Sequence, residues 1–116
     1  MKLTGEAKLL RIFSGEGDIH HHMALHESIV KEARAGGLAG ATVLRGILSF
    51  GATARLRSTK IIDLSSDLPV IIEIVDTESK LDSFLPRLQA IFDESGCGGM
   101  VTIEPVQVIH YLHKKT

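Results

Sequence analysis

Asp67–Asp76 (DLPVIIEIVD) and, upstream of it, Leu38–Gly51 (LAGATVLRGILSFG) decide the fold. Val70–Val75 is short and almost wholly apolar, as expected of a strand buried inside a sheet. Asp76 or Thr77 then offers a helix N-cap, with Glu78 well placed in the first turn. Leu81, Phe84, Leu85, Leu88, Ile91 and Phe92 follow as an i, i+3, i+4, i+7 stripe. Pro86 interrupts the stripe, which predicts a kink or a split into two turns. Working back from the other stretch, Ala41–Phe50 reads as a strand. His22 to Arg34 precedes it as a helix, with Leu25, Ile29 and Ala33 on one face. Gly36-Gly37 ends that helix, since glycine enters the left-handed capping conformation without steric cost.

Residues 6–14 (EAKLLRIFS) supply a first strand, broken by the turn residues Gly15-Glu16-Gly17-Asp18. Ser95–Gly99 is a glycine-rich turn and Met100–Leu112 a last strand. The apolar phase in that strand shifts from Val101 and Ile103 to Val106 and Val108, which predicts a bulge at Glu104-Pro105. The proline places this strand at a sheet edge. The order is β-α-β-β-α-β, a β-α-β unit written twice. It is the ferredoxin-like α+β sandwich, an antiparallel sheet with two helices on one face and the first and third strands central.

The 116 residues suit a single domain spanning 1–116. A formal net charge of −1 argues against a dedicated nucleic-acid binder, which carries a basic field. The single cysteine, Cys97, has no partner for an intramolecular disulfide, and the N-terminus lacks the pattern of a signal peptide. No run approaches the roughly 20 apolar residues that span a bilayer, so a cytoplasmic location is expected. Leu9, Leu10, Ile12, Phe13, Val43, Leu44, Ile47 and Leu48 put apolar groups on both faces of the sheet. One face has no helices, so a lone subunit would expose a large apolar patch. A homo-oligomer is therefore expected, with Arg11, Arg45 and Glu73 pairing across its contacts.

Several motifs together resemble one family. They are Gly15-Glu16-x-Asp18, Leu25-x-Glu27-x-Ile29-Val30, Gly40-Ala41-Thr42-Val43-x-Arg45-Gly46-Ile47, Leu64-Ser65-x-Asp67-Leu68-Pro69-Val70 and Glu73-Ile74-Val75-Asp76. From about Leu9 to Tyr111 the chain resembles the PII-like family catalogued as domain of unknown function 190, related to nitrogen-regulatory PII and divalent-cation-tolerance trimers. The resemblance implies a PII-like homotrimer with a signalling role. It implies a small ligand, an adenine nucleotide, in clefts between subunits. It also implies a membrane transporter or other protein partner for the 51–68 loop. Ser49-Phe50-Gly51-Ala52 resembles the Gly-Phe-Gly-Arg that opens the long PII loop, without the arginine. Gly96-Cys97-Gly98-Gly99-Met100-Val101 resembles the phosphate-holding Gly-Asp-Gly-Lys turn, with Gly99 where the lysine would stand.

The expected ligand-binding residues are thus Arg45, Phe50, Gly51, Arg55, Arg57, Gly96, Gly98 and Gly99. Lys60 extends the basic set on the long connection. The glycine turn can cradle an anion through its N–H groups, or serve only as a tight connection. A second reading is metal binding by His20, His22 and His26, because a helix starting near His22 would stack His22 and His26 one turn apart. Glu16 or Asp18 would add an oxygen. A third is a scaffold without a small ligand. No nucleophile elbow, P-loop or zinc signature beyond the histidines is present, and Ser65-Ser66-Asp67 is a triad by composition only. Neither an enzyme nor a resident cofactor is expected.

Overall fold

Two long central strands organise the molecule. The structure, a computed structural model, describes residues 3–51, 57–58 and 68–112, with 57–58 described in their backbone only. Strand β1 (Gly5–Gly15) pairs antiparallel with β7 (Pro69–Asp76) on one side and with β8 (Met100–Val108) on the other. Strand β4 (Thr42–Arg45) completes the sheet against β7, giving the order β4-β7-β1-β8. The first and third major strands are central, as the sequence predicts. The short pieces β2 (Ile19–His20) and β3 (Met23–Ala24) form a hairpin, and β5 (Leu48–Ser49) pairs with β6 (Arg57–Ser58).

The two helices, α1 (Leu25–Ala35) and α2 (Glu78–Ser95), share a core with one face of the sheet. Alternation decides which strand residues reach that core. On β1 they are Leu10 and Ile12, and on β7 they are Val70, Ile72 and Ile74. The helices answer with Leu25, Ile29 and Ala33 from α1 and Leu81, Phe84, Leu88 and Ile91 from α2. The predicted helical stripes supply these buried residues, with Leu85 and Phe92 of the α2 stripe only partly buried against the core.

Both helix ends follow their local chemistry. Gly37 sits at φ 75, and the bonds Gly37 N–H to Arg34 O (3.1 Å) and Leu38 N–H to Ala33 O (3.1 Å) make a Schellman motif. Thr77 is the N-cap of α2, its Oγ1 accepting from Lys80 N–H at 3.4 Å. Asp76 does a different job. Fully buried, it accepts from Thr77 N–H (2.7 Å) and Ala39 N–H (2.8 Å), tying the α1–β4 connection to the start of α2.

Four expectations change. Helix α1 begins at Leu25 rather than His22, because β2 and β3 occupy the approach to it. The predicted strand 41–50 is divided at Gly46, whose N–H donates to Pro69 O at 2.7 Å; a Cβ there would lie 2.6 Å from Pro69 Cγ. Strand β8 shows no bulge, since its register with β1 runs unbroken from Gly5↔Val108 to Phe13↔Met100. Pro105 needs no bulge because, among the described residues, β8 is an edge strand with no neighbouring strand on its outer side. Of the kink or split expected at Pro86, the split does not occur: α2 runs unbroken, because Pro86 is exposed and the carbonyl it leaves unpaired, that of Asp82, lies at an exposed residue too.

The second sheet face carries Leu9, Arg11 and Phe13 from β1 and Ile71, Glu73 and Val75 from β7, as their register dictates. Arg11 Nε donates to Glu73 at 2.9 Å and Arg11 Nη1 to Glu104 at 2.5 Å. Hydrogen bonding to Glu73 raises the Arg11 pKa, with Glu104 adding to it. Arg45 Nη2 donates to Glu16 at 2.5 Å. These arginines, expected to pair across subunits, are paired within the chain.

Candidate functional site

Most of the residues singled out by sequence gather at one end of the sheet. Register puts Gly15, Pro69 and the start of β8 there, and Val70 brings Arg45 to the same end. Arg45, Phe50 and Gly51 lie on the β4 side. Gly96–Gly99 leads into β8 on the other side. Between these edges lie three strand intervals of about 4.8 Å each, or roughly 14 Å. Arg55 lies outside the described residues, as does Lys60. Arg57 is in β6, paired with Ser49, and nothing is described of its side chain.

On the β4 side the exposed groups are apolar as well as charged. Ile47 is 72% exposed, Leu48 62% and Phe50 70%. Ile47, Leu48 and Phe50 sit on and beside β5, outside the four-stranded sheet. Arg45 is held by Glu16 through one nitrogen, which leaves other donors of its five for an anion.

On the β8 side, Gly96, Cys97, Gly98 and Gly99 border a depression of about 480 Å³ with Gln89, Phe92, Asp93 and Val101. The glycines have separate reasons to be there. Gly96 is the left-handed cap of α2, with φ 68 and its N–H bonded to Phe92 O at 2.9 Å. Gly99 admits no side chain, since a Cβ would stand 2.7 Å from Phe13 O and 3.0 Å from the Phe92 ring. Gly98 has open space around it and no left-handed φ, so local structure does not require glycine at that position. Asp93 is the charged group of this lining, and no lysine or arginine joins it. Within one subunit the turn is a poor phosphate site.

The histidines divide differently from the expected set. The β2–β3 register pairs His20 with Met23, so His21 and His22 are the two turn residues of a tight hairpin. Both have positive φ, 49 and 66, where two-residue hairpins normally use Asn-Gly. Each costs about 1–2 kcal/mol in that conformation. The turn folds His21 back over His20, their rings stacked 4.0 Å apart. His20 is buried, its Nδ1 2.6 Å from Ser28 Oγ and its Nε2 3.2 Å from Glu94 Oε1. Among the described residues, His20, His21 and Glu94 are the one group whose metal-ligating atoms lie together, all within 4.8 Å. His22 and His26 do not join them. His22 lies outside the helix that the i, i+4 argument required, and His26 Nδ1 is buried in α1 without a partner among the described residues. Glu94, distant in sequence on α2, carried no sequence signal.

A second depression of about 500 Å³ lies on the helix-free sheet face, lined by Arg11, Glu73, Thr42, Val75, Val108 and Tyr111 among others. Tyr111 closes over one side, its hydroxyl donating to Ala39 O at 2.7 Å. Among the described residues no helix is long and apolar enough to cross a membrane.

With this geometry in hand, comparison with known proteins is decisive for kinship. Residues 7–108 match the family model DUF190, described as "Uncharacterized ACR". The chain belongs to the DUF190 family. A UPF0166 protein of Aquifex aeolicus (strain VF5) is 37% identical over 103 residues, covering 89% of this chain and 93% of that protein. Among solved structures, the nitrogen regulatory PII-like protein CPII from Thiomonas intermedia K12, bound to ADP, AMP and bicarbonate, superposes with TM-score 0.69. It is 18% identical, with 94% of this chain and 92% of that one covered. A PII-like chain from Thermus thermophilus gives TM-score 0.66 at 21% identity, covering 94% of each. These likenesses make the DUF190 fold here PII-like.

Proposed function

We propose that this DUF190 protein is a PII-like regulatory module, active as a homotrimer, that binds an adenine nucleotide between subunits. The observation that carries the reading is the separation of the two candidate half-sites. Arg45, Phe50 and Gly51 stand at one sheet edge and Gly96–Gly99 at the other, both at the same sheet end. Copies meeting edge to edge would bring one subunit's cationic, aromatic half against another's glycine turn. The turn would then gain from the neighbour's Arg45 the positive charge that its own lining lacks. The open position at Gly98 leaves room for backbone to approach a ligand. Binding of ADP and AMP by the similarly folded CPII supports the choice of ligand class.

Partner contact follows from the same arrangement. The exposed Ile47, Leu48 and Phe50 lead into the 51–68 segment. A ligand seated at their base would bias how that segment is presented to a protein partner. Binding alone performs this task, so no reaction is assigned to the fold.

A thermal-shift panel of ATP, ADP, AMP and cyclic nucleotides tests the ligand. At a hundredfold excess over the dissociation constant, the cognate nucleotide stabilises the fold by about 2.7 kcal/mol. Arg45→Ala should abolish most of that shift without lowering the ligand-free midpoint by more than a degree or two. A flat response to the whole panel removes the nucleotide reading.

A further inference from the structure

We propose that His20, His21 and Glu94 form a binding site for a divalent transition-metal ion of the zinc type. Nothing in the nucleotide reading uses these residues, and the two proposals stand or fall separately.

Around a four-coordinate zinc with N and O ligands at 2.0–2.2 Å, ligand atoms are roughly 3.4 Å apart. His20 Nε2 and Glu94 Oε1 are already 3.2 Å apart. A ligating nitrogen of His21 falls with them inside 4.8 Å, on an exposed side chain free to adjust by rotation. Two imidazoles and one carboxylate leave a fourth position open.

A ligating histidine usually donates its other ring N–H to an oxygen, which fixes ring and tautomer. Ser28 Oγ, 2.6 Å from His20 Nδ1, is that oxygen. A hydroxyl serves either tautomer, donating to Nδ1 in the metal-free state or accepting from Nδ1–H when Nε2 holds a cation. His20 is only 7% exposed, so its ring cannot swing away from this alignment.

The donor set also selects the metal. Imidazole with a single carboxylate suits zinc, nickel and copper rather than calcium or magnesium, which prefer all-oxygen shells.

The test is isothermal titration of zinc chloride into the untagged full chain near neutral pH, with magnesium chloride as a comparison. The expected result is one zinc per chain and no magnesium. His21→Ala and Glu94→Gln should each weaken zinc by at least the roughly 10–100-fold typical of losing even an outer-shell partner. Both positions are exposed, and matching circular dichroism of the metal-free variants verifies their fold. His22→Ala, altering the adjacent turn residue, should bind like the parent chain. Zinc should also raise the thermal midpoint of the parent and of His22→Ala, but not of His21→Ala. Absence of zinc binding by the parent, undiminished binding by His21→Ala, or equal loss in His22→Ala would each overturn the site.

Discussion

On the helix side of the sheet, Leu10, Ile12, Ile72 and Ile74 are fully buried. On the other side their immediate neighbours Leu9, Phe13, Ile71 and Val75 are only half-buried, and Leu44 and Met100 are exposed. Residue type hardly differs between the two faces. What differs is that α1 and α2 cover one, while among the described residues nothing fully covers the other. The helix-free face also holds the Arg11–Glu73–Glu104 trio, which puts charge in the middle of a largely apolar surface. Such a face is stable in water only at a cost in exposed apolar area, or against another copy. One face makes the fold, and the other is left for the proposed trimer to cover.

The comparison breaks first under core truncation. Ile72→Ala should destabilise the protein by about 2–5 kcal/mol in chemical denaturation, the usual range for such a cavity. Val75→Ala, three residues on and on the opposite face, should cost clearly less. If Val75→Ala matched Ile72→Ala while leaving the mass of the assembly unchanged, the distinction between the faces would fail.

A finer contrast lies within the glycine turn. Gly99→Ala should lower stability by about 1–3 kcal/mol, the range for an overpacked site, because Phe13 O and the Phe92 ring leave no room. Gly98→Ala should change stability by less than about 0.5 kcal/mol, as at an ordinary surface position. Under the proposed function it should nonetheless weaken nucleotide binding. Equal thermal midpoints for the two variants would show that the turn is not packed as described.

Much of this architecture is legible in the sequence because its signals are local. The α2 stripe from Leu81 to Phe92, the Gly36-Gly37 stop and the apolar β7 run each report on a neighbourhood of a few residues. The break at Gly46 is different. Ile47 and Leu48 continue the apolar pattern, and only contact with Pro69, 23 positions along, shows where the strand leaves the sheet. The phase shift near Pro105 suggested a bulge, but an edge strand can change its pattern without losing register. The histidine cluster shows the same limit. Helical spacing favoured His22 with His26, whereas a hairpin built on His21-His22, without the usual Asn-Gly, brings His21 onto His20. Glu94 comes to them from 74 positions away, a closeness set by packing α2 beside the hairpin. The half-sites of the proposed ligand cleft are named from family motifs, but their placement on opposite edges requires the strand order.

Sedimentation of the full chain at micromolar concentration tests the central claim most directly. The account predicts a single species of three times the subunit mass, whose population persists on dilution through the micromolar range. A well-behaved monomer under those conditions would contradict it, since the two half-sites would then never meet.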